Sequence, residues 1–436
     1  DSIDKLPSSE ADLKQHNDWV DPDLPEKPAE QNGLIATFGQ LTNTMIGSGI
    51  LSFPSVLAKV GLLYTIAMLL FFCGIVGASS LMMIDAGKKM GVMDYSTIVQ
   101  KSLGRRWRLA NDMAVFVSNM GALMSYVNVI GSLGSRVAEY VQPRGLELLN
   151  TYPGFMVVFT LIFVLPMNFK RAYGELTYIS AISVLFIVVA TVFVGVEGTS
   201  VSGHTYPLRL LPVSSLSCLK YLGNFAYATS CQPVVCEAHL SVVAESKDSF
   251  PYAMWSAAAA GGTLLLAMSV AGYMAFGENV SSNVMLSLGD GPISCIGYTL
   301  VVIHLLMYIP NDFIIMRFYG FRLFDMNVLQ TPVLQYVIAT IVLFAIPVVA
   351  MAIIPVVDVS GAFGLVLDLT GDFPIGFQCF LIPGLVYLTL FPEWRPMQLI
   401  ALITAIVGGI CMFFCPVVDI ITFVNACNSE AGCSSY

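Results

Sequence analysis

Apolar runs of about 20 residues alternate along the chain with short polar or charged stretches, which is the spacing needed to cross a hydrocarbon layer about 30 Å thick. Eleven such runs fall near 34–60, 62–87, 110–141, 152–169, 174–195, 218–241, 250–275, 291–316, 333–356, 360–391 and 397–425. Each predicts a helix, because backbone groups in hydrocarbon must find their partners within the segment. The third and tenth runs are longer than a perpendicular crossing needs, which permits tilt or extension beyond the membrane. Two runs carry interruptions. In the first, Asn43-Thr44-Met45-Ile46-Gly47-Ser48-Gly49-Ile50-Leu51-Ser52-Phe53-Pro54 sets two glycines and a proline inside an otherwise apolar span. The sixth does the same with Gly223-Asn224-Phe225-Ala226-Tyr227-Ala228-Thr229-Ser230-Cys231-Gln232-Pro233. Glycine weakens a helix and proline cannot donate its bond, so both spans are expected to break.

Composition narrows the class. Hydrophobic residues fill 56% of 436 positions and charged ones 11%, a balance that excludes a soluble domain and leaves a polytopic membrane protein in a lipid bilayer. The net charge of −9 comes largely from the acidic first thirty-odd residues and from loops, and with no long basic stretch it implies no nucleic-acid partner. Residues 1–33 are polar and proline-bearing, with no removable signal segment, and read as a disordered tail. The transmembrane domain then spans 34–425, followed by a short C-terminal tail at 426–436.

Orientation follows from Lys and Arg. With the N-terminal tail in the cytosol, fifteen of the twenty basic residues fall on the cytosolic side, and an odd number of spans sends the C-terminus to the other side. The sequon Asn279-Val280-Ser281 then lies in an outer loop and marks Asn279 as a glycosylation site. Of ten cysteines, Cys218, Cys295, Cys427 and Cys433 sit at or beyond the outer face, where one or two disulfides are compatible with an oxidising side, in pairings that spacing does not decide.

The two broken spans are five apart, the separation expected if spans one to five and six to ten form inverted repeats. In such folds the interrupted helices face each other at mid-membrane, offering half-helix N-termini to anionic groups and freed carbonyls to cations. A zwitterion suits that pair. At these residues the chain also resembles the amino acid/auxin permease family, and within it the sodium-coupled neutral amino acid transporter branch and a lysosomal arginine-sensing relative. The Asn43 to Pro54 stretch is similar to the family's first-span motif. Asn119-Met120-Gly121-Ala122-Leu123-Met124-Ser125-Tyr126 is similar to its third span, and Phe225-Ala226-Tyr227 through Cys231-Gln232-Pro233-Val234-Val235 to its sixth. Phe276-Gly277-Glu278-Asn279-Val280 and Phe380-Leu381-Ile382-Pro383-Gly384 match the loop after span seven and span ten.

The resemblance implies an all-α protein of eleven transmembrane helices, with a LeuT-type 5+5 inverted repeat and amino acid transport by alternating access. It implies that the backbone at Gly47, Ser48 and Gly49 meets a substrate carboxylate. Carbonyls near Thr44 and around Phe225, Ala226, Tyr227 and Ala228 would meet the amine, with Ser125, Tyr126 and Tyr227 as pocket walls. It sets Asn43 at a sodium site, but the hydroxyl-rich stretch expected before the proline of span eight reads His304-Leu305-Leu306-Met307-Tyr308-Ile309-Pro310 here. Coupling to Na+ or to H+ therefore both stand as expectations, with His304 the titratable candidate for the second and a hydrogen-bonded neutral histidine as its plain alternative.

Among carboxylates within spans, Asp312 could pair with Arg317 as a gate near the inner face. Asp368 and Asp372 share a helical face at i,i+4, where like charges repel unless a proton or cation intervenes; a locally unwound, wet segment around Gly371 and Pro374 is the alternative. The four histidines are scattered, no metal or cofactor motif occurs, and neither a phosphate loop nor a nucleophile elbow is present, so an enzyme is not expected. The expected function is a secondary transporter of amino acids, preferably neutral ones because small residues and methionine crowd the breaks, in the plasma membrane or a lysosomal or vacuolar membrane. The rival from another class is an amino acid sensor that signals through its N-terminal tail to a cytosolic partner.

Overall fold

The computed structural model describes residues 32–141, 145–169, 177–326, 328, 330–353, 359–393 and 396–427. The first interrupted run forms α1 (Leu34–Ile46) and α2 (Phe53–Val60), joined through a 3-10 turn at Gly49–Leu51. Next come α3 (Leu62–Met90), the short α4 (Tyr95–Leu103), α5 (Arg105–Val141), α6 (Tyr152–Met167) and α7 (Thr177–Ser202). The second interrupted run gives α8 (Ser215–Lys220), α9 (Leu222–Thr229) and α10 (Gln232–Ser241). The chain continues as α11 (Phe250–Phe276), α12 (Pro292–Leu323) and α13 (Val333–Ile353). Helix α14 occupies 359–390 and widens to a π-helix over Gly371–Leu381, after which α15 (Pro396–Phe413) and α16 (Cys415–Cys427) close the described chain.

Among the described residues, eight helical segments are long and apolar enough to cross a membrane, and α6 is a shorter apolar one. The interrupted pairs fail that length test for a physical reason. Even the longest half, the 13-residue α1, rises only about 20 Å, so two halves must add to cover a core of about 30 Å. Apolar side chains turned outward, such as Leu185 and Val192 of α7 and Ile338 and Val342 of α13, clothe the bundle in a surface suited to lipid.

The broken helices lie inside. Helix α1 packs on α11 and α7, α9 on α14, and the most extensive helix pair, α5 with α12, crosses beside them. Asn32 N donates to Ser241 O at 2.7 Å and Val243 N to Asn32 O at 3.2 Å, so the start of α1 and the end of α10 emerge on one face. That face is laced by charge: Arg322 reaches both oxygens of Asp94 at 2.9 Å, and Arg108 meets Asp325 at 3.0 Å. On the opposite face the strand of chain before α8 clasps the end of α2, Val213 N donating to Lys59 O at 2.9 Å and Leu62 N to Arg209 O at 2.8 Å. Asn279 is exposed beside it in a short 3-10 turn.

Two expectations change here, and others fall outside the described residues. The segment around Gly371 and Pro374 is not unwound and wet: it stays helical in the wider π form, with Asp372 and Pro374 buried, since a π-helix absorbs a proline without releasing the whole backbone to solvent. Cys218 and Cys295 are both free thiols, while the Cys427 side chain and Cys433 lie outside the described residues. The N-terminal tail to residue 31, the basic pair Lys170 and Arg171, and residues 428–436 also lie outside them.

Candidate functional site

Each break has its own local chemistry. Helix α1 ends because Gly47 turns to φ +43°, a left-handed conformation that a side chain would strain. The Gly49 carbonyl accepts from Ser52 N at 3.1 Å, with Ser52 Oγ 2.8 Å away. The carbonyl of Thr44 accepts from Tyr308 Oη of α12 at 3.2 Å. The second break is an extended step: Ser230 sits at ψ 141° and Pro233 opens α10 in its first turn, where its missing N–H costs nothing. Cys231 N is satisfied by Gln232 Oε1 at 3.1 Å, and the Gln232 amide in turn donates to Ser79 Oγ at 2.6 Å.

A cavity of about 50 Å³ lies against both breaks, walled by the end of α1, the start of α10, and faces of α5, α12 and α14. Water occupies about 30 Å³ per molecule in the liquid, so this space holds a water or two and must widen to take an amino acid. Its polar lining comprises Thr44, Ser118, Asn119, Tyr126, Tyr227, Ser230, Tyr308, Asp312 and Gln378. These positions continue from the breaks toward the face that carries the start of α1. Asp312 is the one carboxylate among them; Tyr126 Oη donates to its Oδ2 at 2.7 Å, and Tyr126 and Tyr308 meet edge to face at 5.2 Å.

On the other side of the breaks the structure is closed. Ser48 Oγ lies 2.6 Å from Ser125 Oγ, and the Tyr227 hydroxyl sits 3.3 Å and 3.4 Å from the two, tying α5 to both interrupted runs. Ser52 Oγ donates to Asn224 Oδ1 at 2.7 Å, and the Asn224 amide donates to Asp368 of α14. Phe225 anchors a ring cluster, 5.3 Å from Phe53 and 6.1 Å from Phe72. Gly49 lets the two breaks touch: a Cβ there would come within 3.0 Å of Ala228 and Tyr227.

The residues singled out from the sequence therefore separate into two groups. Thr44, Gly47, Tyr126 and Tyr227 line the cavity, whereas Ser48, Gly49, Ser125, Phe225, Ala226 and Ala228 are buried on the closed side. The Phe225 carbonyl is already taken by Thr229 Oγ1 at 2.8 Å. Asn43 lies buried one turn from the break with its amide oxygen unpartnered among the described residues. His304 faces α7 instead of the cavity, its Nδ1 2.7 Å from Ser183 Oγ and 2.9 Å from Ser183 O. Asp312 and Arg317 do not meet. Five positions on a helix turn two side chains to different faces, so Asp312 looks into the cavity while Arg317 reaches the Asn168 carbonyl and lies over the Tyr336 ring at 4.7 Å.

Asn119, Tyr308, Ser230 and Gln378 were not singled out as site residues. A polar side chain in the middle of an apolar run was the signal that could have found Asn119 and Gln378. Tyr308 stood within the quoted span-eight stretch, which was read for the threonines it lacks.

Comparison with known proteins agrees with this geometry. The profile of the family described as transmembrane amino acid transporter protein matches residues 30–421. Vacuolar amino acid transporter 5 of Schizosaccharomyces pombe is 23% identical over 281 residues, 63% of this chain and 66% of that protein, so the alignment spans just under two thirds of the relative. The bovine protein called putative sodium-coupled neutral amino acid transporter 11 is 22% identical over 90% of this chain and 83% of its own. In three dimensions the chain superposes on Mhp1, a nucleobase-cation-symport-1 family transporter in a closed conformation, with a TM-score of 0.56 at 11% identity, covering 95% of this chain and 98% of that one. That likeness speaks for the fold alone. An all-helical bundle with two interrupted helices meeting at a small polar cavity, and a family match that runs almost from end to end, lead to one assignment: this integral membrane chain belongs to the transmembrane amino acid transporter family, a family of transporters and not of enzymes.

Proposed function

We propose that the protein carries amino acids across its membrane by secondary active transport, alternating the access of a site between the two broken helices. The observation that carries this reading is the polar-lined cavity bounded by both breaks at once, lying on one side of them while hydroxyl and amide pairs close the other. Eleven crossings in a 5+5 arrangement fit the long helices, the shorter α6 and the two interrupted pairs taken as one crossing each. With the N-terminus in the cytosol, the conformation is one that faces inward. The N-terminal end of α10 suits the substrate carboxylate, and the Thr44 carbonyl suits the amine. Met45, Ile46, Val234, Ile315 and Ile375 supply an apolar wall compatible with neutral side chains.

For coupling, the orphan amide oxygen of Asn43 favours a hard cation such as Na+, since a buried acceptor without a partner carries a desolvation penalty of about 1–3 kcal/mol that a ligand would relieve. Proton coupling through His304 rests on a ring whose Nε2 is likewise buried and unpartnered. The experiment is uptake of labelled amino acids into proteoliposomes under imposed Na+ or H+ gradients, for the native protein and for Asn43→Ala and His304→Ala. Gradient-driven accumulation of at least one amino acid is expected. If folded protein accumulates none, transport is wrong, and ligand-dependent capture of a cytosolic partner by the tail would favour the sensing alternative.

A further inference from the structure

A carboxylate buried in a membrane bundle is costly unless something positive meets it. At the charged face Asp94 has Arg322 and Asp112 has Arg108 nearby, and the buried Asp368, Asp372 and Asp419 lie together near Lys220. Asp312 stands apart from both groups, in the wall of the cavity. It is 7% exposed, one of its oxygens accepts from Tyr126 Oη at 2.7 Å, and no Lys, Arg or His lines the cavity into which it looks, among the described residues. Arg317, the cation nearest in sequence, is engaged elsewhere. The lining thus holds one carboxyl group and no cationic side chain among the described residues.

The surroundings of that charge are equally specific. Tyr126 from α5, Tyr227 from the end of α9 and Tyr308 from α12 itself all line the same cavity. Aromatic rings beside a carboxylate are the combination that holds an ammonium or guanidinium group, the rings through their negative faces and the carboxylate through charge-assisted hydrogen bonds. In the proposed pose the substrate amine lies at the Thr44 carbonyl. Asp312 stands one turn along α12 from Tyr308 and three positions before Ile315, on the part of the lining that runs toward the face carrying the start of α1.

We infer that Asp312 selects amino acids with a cationic side chain, lysine and arginine above all, over neutral ones of similar size. The inference rests on the amino acid transport reading and names its preferred substrate class. In place of the broadly neutral preference expected from the small residues at the breaks, the apolar wall would hold the methylene stem of such a side chain and Asp312 its charged end.

The test is equilibrium binding of labelled lysine, arginine and leucine to the detergent-purified full chain, repeated with Asp312→Asn and Asp312→Glu. Asparagine keeps the shape and an acceptor for Tyr126, so folding is checked by thermal denaturation and by residual leucine binding. Lysine and arginine are expected to bind the native protein at least tenfold more tightly than leucine, the ratio to fall to near one in Asp312→Asn, and Asp312→Glu to restore most of it. Equal or tighter leucine binding by the native protein, or an unchanged ratio in Asp312→Asn, overturns the inference. So does a loss confined to proton-driven uptake, which would make a proton the partner of Asp312. Flux is read separately in proteoliposomes: preferential lysine binding without flux would sink transport while leaving the assignment of Asp312 standing.

Discussion

The two sides of the paired breaks are built from different materials. Toward the α2 and α9 side, hydroxyls and an amide interlock in fixed pairs, Ser48 with Ser125 and Ser52 with Asn224, and rings from Phe53, Phe72 and Phe225 fill the remaining space. Toward the α1 and α10 side, Asn119 and Ser230 bond carbonyls of their own runs, Val115 O and Tyr227 O, and with Tyr308 and Asp312 they border a cavity. A side where hydroxyls and an amide tie separate helices together can stay shut without a ligand; a side with a polar-lined space has room to admit one. The comparison teaches where the two-state element of the proposed alternation would lie: the closed side would have to exchange its internal bonds for water, and the bonds given up would set the height of that step.

The largest effect is therefore expected from dismantling the closed side at its polar centre. Asn224→Leu removes the acceptor for Ser52 and the donor to Asp368 together, leaving a buried carboxylate oxygen without that donor. Losses of about 1–3 kcal/mol are usual for one such orphaned group, and more for a charged one. A clear drop in melting temperature in detergent, with uptake reduced to background, is expected. An unchanged melting point would mean that these bonds do not hold the seal.

Next in size is a difference in chemical access. In a background without reactive cysteines, Ser230→Cys is expected to be labelled by a membrane-impermeant thiol reagent from the face that carries the start of α1. Ser48→Cys should resist labelling from either face, at least tenfold more slowly. Equal rates would erase the distinction between a sealed and an open side.

A smaller effect separates two glycines two positions apart. Gly47→Ala forces a Cβ onto φ +43°, a strain of about 1–2 kcal/mol, on the cavity side, 3.3 Å from the Tyr126 hydroxyl. Gly49→Ala has no such backbone strain but presses its Cβ to within 3.0 Å of Ala228 and Tyr227 on the closed side. The first is expected to weaken substrate binding, measured as a raised KM. The second should loosen the seal and speed labelling of Ser48→Cys with less effect on KM.

How much of this was legible beforehand differs between the same two sides. The breaks announced themselves, because Gly47, Gly49 and Pro233 violate helix preference in runs otherwise unbroken. Which flanking residues face a cavity did not, since Ser48 and Thr44 lie four positions apart and end on opposite sides of one turn whose φ angle the sequence does not specify. The Asp312 and Arg317 gate failed for a related reason: spacing along a helix fixes relative direction, and five positions is not a same-face interval. His304 shows the converse, a residue whose plain reading, a histidine bonded to a backbone carbonyl, matches its place against Ser183.

The smallest predicted effect is the most informative about how the sides communicate. Tyr308 reaches across from α12 to a carbonyl at the first break, its hydroxyl 3.2 Å from Thr44 O, while its ring lies against Tyr126 at 5.2 Å and stacks near His304 at 5.9 Å. Tyr308→Phe keeps both ring contacts and deletes the hydroxyl, which reaches Asp312 as well as Thr44 O; each such hydrogen bond is worth about 0.5–1.5 kcal/mol. If the bond to Thr44 O merely caps a freed carbonyl until substrate arrives, its loss exposes Thr44 O to the ligand and affinity rises by up to roughly tenfold at an unchanged melting point. If instead the bond shapes the break, affinity falls and labelling of Ser48→Cys quickens, because a distorted α1 end is passed through Gly47 to the sealed side. Ligand binding and labelling rates on the one variant thus decide whether Tyr308 stands in for the substrate amine or braces the helix that must receive it.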